Sequence, residues 1–574
     1  MNIRRIFLPL LLAAACTALN ACKAPLVDDT AYLTLARHIA QHPLDPYGFK
    51  QFWYQWPQPA NEILAPPVQP YWLALGMRIC GDEPVAWKLW LFPEILLLAV
   101  ALQALFHRFA RGMEAPLLIL AMLSPSMLPA WNFMLDLPAL TLCMTALVLF
   151  LRALERKSLL GALAAGVVAG LATQTKYTGL LMPPVLVGAA ILAPIRCRKS
   201  WPSLIWRVLF AALACAAAAI IFIGWEEFVQ WKYGESHFLF ALGPSPESWK
   251  KKLDVYLAKW RLLLPMLILL GGLLPPAALL ACAGLVKEWR WLLVPIEIIV
   301  ASYAALILIP IQESIWAGTE VPLTSSILGT LGGLSILVLA LVALRQLVRL
   351  HSCRALIEMQ WWTRLRLSPE LWFLLFWLLI ELAGFLAMTP FPASRRLIGF
   401  TLVATVLAGR LVSRTCRSRA ERKTVWLAIA PGIALGLFFA GIDAADSWRE
   451  PRAVRAAARF IRQQDPTVTI WFVGHWGFQF EAERQGMKPI IPDESVPQPG
   501  EWLIVPNEES VVQQEFVPAE AMGAPVVHMI IRRGFPLRTL PAYYGGYLPI
   551  ERGPDPQIDV AIYRISEKWV PRSQ

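Results

Sequence analysis

The sequence predicts a polytopic α-helical membrane protein with about 13 transmembrane helices and a small C-terminal α/β domain. Of its 574 residues, 57% are hydrophobic and only 16% are charged, and the mean hydropathy is +0.52. Soluble domains carry roughly 25% charged residues. Apolar runs of about 20 residues, the length that a helix needs to cross a bilayer, recur along the chain. After residue 442 the composition becomes polar, which indicates a separate domain.

The apolar runs define the predicted spans, and their connections alternate in charge. The spans are placed at residues 6–22, 89–106, 115–133, 137–154, 158–174, 179–195, 203–224, 261–284, 291–311, 325–344, 371–390, 397–413 and 424–442. Every second connection is rich in Lys and Arg, which is typical of cytoplasmic loops. This pattern explains the net charge of +12 without a nucleic-acid partner. With Arg4 and Arg5 inside, an odd number of spans places the tail outside the cytoplasm.

The first apolar run has two interpretations. It can be a retained transmembrane helix, which suits the alternation of charge, or a cleaved signal peptide. The stretch Leu19–Cys22 is similar to a lipoprotein cleavage site. Both interpretations remain open from the sequence.

Three predicted regions outside the membrane are long enough to hold a site: the first outer loop 23–88, the loop 225–260 and the tail 443–574. Residues 1–442 then form the transmembrane domain. The tail contains short apolar runs typical of strands and a helical pattern, which together predict an α/β domain. These runs are Val468–Val473, Trp502–Val505 and Val560–Ile565, and the helical pattern is Arg452–Arg462.

Adjacent carboxylates stand at the start of the first outer loop, at Asp28 and Asp29. A carboxylate at the membrane surface can accept a proton from an incoming hydroxyl or amine, the role of a general base. Acidic residues also favour the first turn of a helix, and Ala31–Gln41 has an apolar helical face. Catalysis and helix capping are compatible, because a cap holds the carboxylate in place.

Two further motifs fall at predicted outer turns. Asp136 lies between two spans, where an ionisable side chain is a functional candidate, although a solvated turn is the alternative. Lys176, followed by Tyr177, could neutralise a phosphate, and the alternative is a lysine that extends to the membrane surface. We expect Asp136 to act in catalysis and Lys176 and Tyr177 to bind a substrate.

Arg395 and Arg396 lie at another predicted outer turn, on the side of the membrane that the positive-inside rule disfavours. A phosphate-bearing lipid would explain two arginines there, because guanidinium groups bind phosphate with paired hydrogen bonds. Such residues can stabilise the charge that develops on a phosphate leaving group. We therefore expect both arginines to contact a lipid phosphate.

Candidate metal ligands are sparse. His38 and His42 are four residues apart and could face a metal together, but the polar face of an amphipathic helix also explains them. His237 is a weaker candidate, so a divalent metal stays possible and no cofactor is certain. The stretch Gly329–Gly333 lies in an apolar span and predicts close helix packing.

Taken in order, these motifs resemble a known family. They are Asp-Asp-x-x-Tyr at 28–32, Asn61, Pro66-Pro67, Tyr71-Trp72, Leu-Asp-Leu-Pro at 135–138, Thr-Lys-Tyr-Thr-Gly at 175–179, and the arginine turn at 395–396. The arrangement resembles the C-type (GT-C) integral-membrane glycosyltransferases. The branch it resembles most contains the protein O-mannosyltransferases and the bacterial lipid A aminoarabinose transferase. The chain departs from the aminoarabinose branch at Ala65, where a basic residue tends to stand.

The resemblance implies a sugar donor linked to polyprenyl phosphate and transfer with inversion at the outer face of the membrane. It implies that Asp28 is the general base, that Asp29 supports it or binds a metal, and that Asp136 shapes the substrate pocket. The donor, a membrane lipid, would meet an acceptor that could be a glycan, a lipid or a protein.

We therefore expect a transferase of the bacterial cytoplasmic (inner) membrane with its C-terminus outside the cytoplasm. A transporter or flippase of lipid-linked glycans is the alternative, and it would place charged residues deep within spans along a path. The polar candidates gather instead at predicted outer turns, which favours the enzyme. An inactive relative whose tail binds envelope partners would show the same carboxylates.

Overall fold

The computed structural model of the chain describes residues 3–53, 56–64, 66–193, 201–242, 258–285, 289–308, 323–351, 368–416, 418–507, 517–518 and 522–571. Ala65, where the chain departs from the aminoarabinose branch, lies outside these ranges, as does part of the predicted span 291–311.

Helices dominate the first 447 residues. They are α1 (Ile3–Ala21), α2 (Asp28–Gln41), α3 (Ala60–Ile63), α4 (Val68–Cys80), α5 (Pro84–Trp90), α6 (Phe92–Phe109), α7 (Glu114–Met122), α8 (Asp136–Arg156), α9 (Leu159–Thr173), α10 (Met182–Leu192), α11 (Trp201–Tyr233), α12 (His237–Leu242), α13 (Leu263–Leu273), α14 (Pro275–Ala283), α15 (Leu293–Leu308), α16 (Leu323–His351), α17 (Pro369–Met388), α18 (Ile398–Thr415) and α19 (Arg419–Ser447). Short 3-10 turns lie at Tyr177–Leu181, Ala258–Leu262, Trp289–Leu292 and Ser394–Leu397.

Within the described residues, seven helices are long and apolar enough to cross a membrane, or eight if the bent pair α13–α14 is one span. Three shorter apolar helices add to these: Ile6–Ala21, Leu159–Thr173 and Tyr177–Leu192. The chain is therefore a helical, multi-span membrane protein, as predicted. The count of about 13 spans stays a prediction.

The first outer loop is folded. Its helices α2 and α4 pack on each other, and a small antiparallel hairpin, β1 (Lys50–Phe52) with β2 (Pro57–Pro59), lies between them in the chain. The second predicted span begins at Pro84 within α5, earlier than the predicted residue 89. Helix α2 begins at Asp28, where two acidic side chains complement the helix dipole.

The predicted span at 115–133 is wrong as a continuous helix. Helix α7 ends at Met122, and residues 123–135 form turns that are buried almost throughout. Pro125 and Pro129 explain the break, because proline lacks an N–H and disfavours helix in the residue before it. We call residues 123–135 the buried segment, and it leads directly into Asp136.

Irregular backbone at membrane depth is tolerated where it is buried in protein and its polar groups find partners. Side chains from distant parts of the chain supply such partners to the buried segment. Lys23 Nζ donates to the carbonyl oxygens of Pro129 at 2.6 Å and of Trp131 at 3.0 Å. The position of Asp136 therefore depends on contacts remote in sequence.

The predicted span 261–284 is also interrupted. Helices α13 and α14 meet at an angle of 61°, at the proline pair that begins α14. Helix α13 packs closely on α16, where a Cβ on Gly332 would collide with the carbonyl oxygen of Leu267. The glycine-rich stretch therefore lies at a helix contact.

The tail holds a five-stranded mixed sheet. Its helices are α20 (Arg449–Gln464), α21 (Trp476–Arg484) and α22 (Leu540–Tyr544), and its strands are β3 (Ile470–Phe472), β4 (Lys488–Pro489), β5 (Trp502–Pro506), β6 (Val527–Ile531), β7 (Leu537–Arg538), β8 (Glu551–Arg552) and β9 (Ile558–Arg564). The sheet order is β4-β3-β5-β9-β6, with β3 parallel to β4 and β5, and β9 antiparallel to β5 and β6. The predicted domain boundary at 442 falls inside α19.

Candidate active site

Four turns that are distant in sequence meet at one place. They carry Asp28 at the start of α2, Asp136 at the start of α8, Lys176 after α9, and Arg395 with Arg396 just before α18. Each turn lies next to a helix terminus, so rigid helices hold the side chains. We call these five residues the charged cluster.

Asp28 and Arg395 form the ion pair at the centre of the charged cluster. Arg395 Nη1 donates to Asp28 Oδ2 at 2.8 Å. The Arg395 side chain is only 7% exposed, whereas that of Asp28 is 30% exposed. Asp28 therefore remains accessible to a substrate, and its partner is held inside the protein.

Asp29 has a different environment, because its side chain is completely buried. Its two oxygens accept backbone hydrogen bonds from Leu26 N at 3.0 Å and from Phe133 N at 3.1 Å. Burial raises the pKa of the Asp29 carboxyl to about 7, and the nearby Lys88 opposes this rise. Asp29 thus joins the start of α2 to the buried segment.

The residue before the two aspartates is strained. Val27 has a φ of 38°, in the region that a β-branched residue rarely adopts. Backbone strain of this kind persists only where surrounding contacts impose it, and it concentrates at functional sites. The two hydrogen bonds to Asp29 are such contacts.

Asp136 and Lys176 form a second ion pair in the charged cluster. Burial lowers the pKa of Lys176 to about 8, Asp136 opposes this change, and the positive charges of Arg395 and Arg396 add to it. Lys176 is therefore protonated at neutral pH but loses its charge under mildly alkaline conditions.

Among the described residues, Arg396 forms no ion pair with a carboxylate. Its Nε is buried and makes no hydrogen bond with any residue that the structure describes. Its guanidinium lies 4.6 Å from the centre of the Phe391 ring and within electrostatic range of Asp136 and Asp28. The charged cluster thus has three cationic groups for two carboxylates, and the surplus charge is positive.

Tyr32, one helical turn after Asp28, completes the aspartate motif. It lies within electrostatic range of Asp28, Arg395 and Asp136. Burial raises the pKa of Tyr32, so its phenol stays protonated at neutral pH. A neutral hydroxyl beside the ion pair can donate a hydrogen bond to an anionic ligand.

Tyr177 lies outside the charged cluster, although it follows Lys176. Its ring stacks on His237 with a centroid distance of 5.7 Å and also contacts Phe238 and Phe222. Burial lowers the pKa of His237 to about 4, which leaves that imidazole neutral. The structure therefore places Tyr177 and His237 together in one aromatic group.

His38 and His42 do lie side by side, with ring centroids 5.0 Å apart. His38 Nε2 is already within 2.8 Å of the carbonyl oxygen of Asp45. Within the described residues, no group of three or more His, Cys, Asp or Glu side chains is arranged to hold a metal ion. His38 and His42 therefore have no third ligand of these types among the described residues.

Sequence reasoning missed Lys88, which is 1% exposed. Its Nζ donates to Asn20 at 3.0 Å and to Asn132, and it lies 4.5 Å from the centre of the Phe133 ring. A lysine inside an apolar helix is a functional signal, but the predicted span began one residue too late to include it. The tail residues Tyr543 and Tyr544, which also reach the cluster, carry no pattern that indicates it.

A family model matches part of the chain. The model of dolichyl-phosphate-mannose-protein mannosyltransferases matches residues 65–222. This confirms the predicted resemblance to C-type integral-membrane glycosyltransferases, on the mannosyltransferase side. The matched range contains Asp136 and Lys176 but neither Asp28 nor the arginine pair. No curated protein matches the chain.

Several solved structures are similar to the chain at low identity. The oligosaccharyltransferase of Archaeoglobus fulgidus in the apo form is 12% identical, with a TM-score of 0.47 over 85% of this chain and 64% of that one. ArnT from Cupriavidus metallidurans bound to undecaprenyl phosphate is 12% identical, with a TM-score of 0.38 and 98% of each chain covered. The arabinosyltransferase EmbB of Mycobacterium smegmatis is 17% identical, with a TM-score of 0.33 over 84% of this chain and 42% of that one. The chain thus spans 64% of the length of the oligosaccharyltransferase.

Proposed function

We propose that this protein is a membrane glycosyltransferase that moves a sugar from a polyprenyl-phosphate carrier to an acceptor, with Asp28 as general base. The observation that carries the proposal is that a partly exposed carboxylate and several cationic side chains lie together in the charged cluster. A partly exposed carboxylate, Asp28, pairs with Arg395 and lies within electrostatic range of Arg396, whose buried Nε has no hydrogen-bond partner among the described residues.

The surplus positive charge suits a phosphate. Guanidinium groups bind phosphate oxygens with paired hydrogen bonds, and Lys176 adds a third cation beside them. When the bond between the sugar and the phosphate breaks, charge develops on the phosphate oxygen. Fixed cations that already face that oxygen stabilise the transition state more than the ground state.

Asp28 would act on the acceptor. In the proposed step an acceptor hydroxyl or amine attacks the anomeric carbon, Asp28 takes its proton, and polyprenyl phosphate leaves with the bonding electrons. One bond from the anomeric carbon forms as the other breaks on the opposite face, so the configuration inverts. A positioned carboxylate of this kind contributes about 10²- to 10⁴-fold to the rate.

In this proposal Arg395 interacts both with the general base, Asp28, and with the donor phosphate. It donates to Asp28 in the absence of substrate, at 2.8 Å. A donor phosphate that binds Arg395 would compete with this ion pair and free Asp28 to accept a proton. We therefore expect the donor to bind before the acceptor.

Several finer features belong to the same proposal. The chain would cross the bacterial cytoplasmic membrane about 13 times, with the charged cluster and the tail on the outer side. A lipid-phosphate sugar suits that side, because it arrives already activated where nucleotide sugars are absent. The acceptor would be a glycan, a lipid or a protein of the cell envelope.

The test is mass spectrometry of envelope glycans and glycolipids from cells that lack this protein. The deletion strain is restored with wild type, Asp28→Asn or Asp82→Asn at equal membrane abundance. Asp82 is a matched control because it lies in the same outer loop but is 65% exposed and pairs with Arg37. We expect one sugar unit to disappear on deletion, to stay absent with Asp28→Asn and to return with Asp82→Asn.

Full restoration by Asp28→Asn would show that Asp28 is a helix-terminal residue without a catalytic role. The leaflet in which the lipid-linked donor accumulates distinguishes an enzyme from a flippase. A transferase that lacks its base leaves the donor on the outer leaflet, whereas a defective flippase leaves it on the inner leaflet.

A further inference from the structure

Helix α22 is part of the tail in sequence but part of the membrane domain in its packing. Leu540, Ala542, Tyr543 and Tyr544 are buried in the same apolar cluster as the transmembrane helices. The tail sheet has a separate core, which includes Phe472 on β3. This short segment of the tail therefore packs within the membrane domain, and we call α22 the tail strap.

The tail strap contacts Arg395 of the charged cluster and the buried segment that precedes Asp136. Tyr543 donates from its hydroxyl to the carbonyl oxygen of Ala130 at 3.1 Å, in the buried segment that leads to Asp136. The ring of Tyr544 lies 5.6 Å from the guanidinium carbon of Arg395. This distance is within the range of a cation–π interaction.

An aromatic ring is a suitable neighbour for an arginine that must bind phosphate. A ring face attracts the cation and restricts its side chain without neutralising its charge. A second carboxylate would also hold the side chain, but it would compete with the phosphate. Arg396 has the same kind of neighbour in Phe391, and Gly545 at the end of the tail strap faces the Phe391 ring.

The tail strap is tied to the membrane helices by buried polar contacts. Asp446, at the end of α19, pairs with Arg533 at 3.1 Å and accepts from Gln557 Nε2 at 2.6 Å. Asp446 and the Arg533 side chain are almost fully buried. These contacts flank α22 in the chain and hold the tail against α19.

We propose that Tyr543 and Tyr544 are positioning residues of the active site, which hold Arg395 and the buried segment in the geometry that binds the donor phosphate. The inference rests on the proposed function. The tail is then a structural part of the phosphate site and is required even for binding of the carrier lipid.

The experiment measures the affinity of the purified full-length protein in nanodiscs for undecaprenyl phosphate. Tyr544→Leu removes the ring, Tyr544→Phe retains it, and Tyr563→Leu is the control. Tyr563 is a half-buried aromatic residue of the same tail, on β9 opposite Leu503. We expect Tyr544→Leu to weaken binding roughly tenfold, and Tyr544→Phe and Tyr563→Leu to bind like wild type.

A double-mutant cycle separates positioning from general damage. If Tyr544 acts through Arg395, then Tyr544→Leu has no further effect on affinity when Arg395 is already alanine. An equal loss in both backgrounds would overturn the inference, as would wild-type affinity in a folded Tyr544→Leu protein. A wild-type protein that does not bind undecaprenyl phosphate would instead overturn the proposed function itself.

Discussion

At the residue scale, the two adjacent aspartates show how surroundings separate two identical side chains. Asp28 is partly exposed and faces an arginine, whereas Asp29 is buried and accepts two backbone hydrogen bonds. Residue type and spacing predicted the pair but not this division of environments, although the family resemblance implied different roles for the two carboxylates. The division depends on Phe133, which is 104 positions away in the chain.

Lys88→Met tests how the buried environment of Asp29 contributes to stability. The substitution removes the positive charge that most strongly favours the ionised form of the fully buried Asp29. It also removes the donor to the buried side-chain oxygens of Asn20 and Asn132, and leaving a buried polar group unsatisfied costs about 1 to 3 kcal/mol. We expect a loss of that size in the free energy of unfolding, measured by denaturant titration in detergent at neutral pH.

Asp82→Ala is the control for Lys88→Met. Asp82 forms an exposed ion pair with Arg37, and such pairs contribute about 1 kcal/mol or less. A small, equal effect of both substitutions would contradict the prediction. The loss in Lys88→Met should also shrink at acidic pH, because Asp29 can then take up a proton.

The proposed contact between Lys176 and the donor phosphate predicts that donor binding depends on pH. Its pKa is lowered to about 8, so the side chain is charged below that pH and neutral above it. We expect the affinity for undecaprenyl phosphate to fall as pH rises through about 8, by up to about tenfold per pH unit. Binding measured from about pH 7 to about pH 10 tests this.

Lys176→Arg provides the matched comparison, because arginine keeps its charge throughout that range. We expect this variant to lose the decline above pH 8 while it still binds at pH 7. A decline that persists unchanged in Lys176→Arg would assign the titration to another group.

At the scale of elements, the predicted spans and the observed helices coincide where the apolar run is uninterrupted, as in α8 and α17. They differ in the buried segment and at the start of α14, where prolines accompany a break in the helix, although α19 continues through Pro431. The sequence displayed Pro125 and Pro129, but hydropathy alone could not show that this stretch folds as buried turns. Partners such as Lys23 and Tyr543 make that conformation stable, and they come from elsewhere in the chain.

Gly332→Ala tests the contact between α13 and α16. A Cβ at Gly332 would meet the carbonyl oxygen of Leu267, a backbone atom that cannot turn aside, whereas a Cβ at Gly333 meets nothing within 4 Å. We expect Gly332→Ala to lower the free energy of unfolding by about 1 to 3 kcal/mol. Thermal unfolding in detergent measures it.

Gly333→Ala is the internal control and should be neutral or slightly stabilising, since alanine favours a helix over glycine. Equal destabilisation by the two substitutions would show that the helices do not meet at Gly332. The glycine-rich stretch predicted such a contact, but only the packing distinguishes the two adjacent glycines.

At the scale of the whole molecule, the alternation of charge predicts which side of the membrane each loop occupies. This yields a test with single cysteines in a protein whose nine native cysteines are replaced. Glu567→Cys, on the exposed tail, should react with a membrane-impermeant thiol reagent in intact spheroplasts. Lys157→Cys, in the connection between α8 and α9, should react only after permeabilisation.

The reverse pattern of labelling would place the tail and the charged cluster on the cytoplasmic side, where a different donor would be available. Labelling of both positions without permeabilisation would contradict the predicted alternation of loops.

The sequence by itself determined the membrane class, the position of many of the long apolar helices and the identity of the charged residues. These follow from composition, run length and residue type, which are local properties. Only the tertiary structure decided that Asp28 pairs with Arg395, that Tyr177 stacks on His237, and that the tail strap packs beside the charged cluster. These contacts join residues that are distant along the chain, or depend on the direction of one side chain, and local patterns carry no information about either.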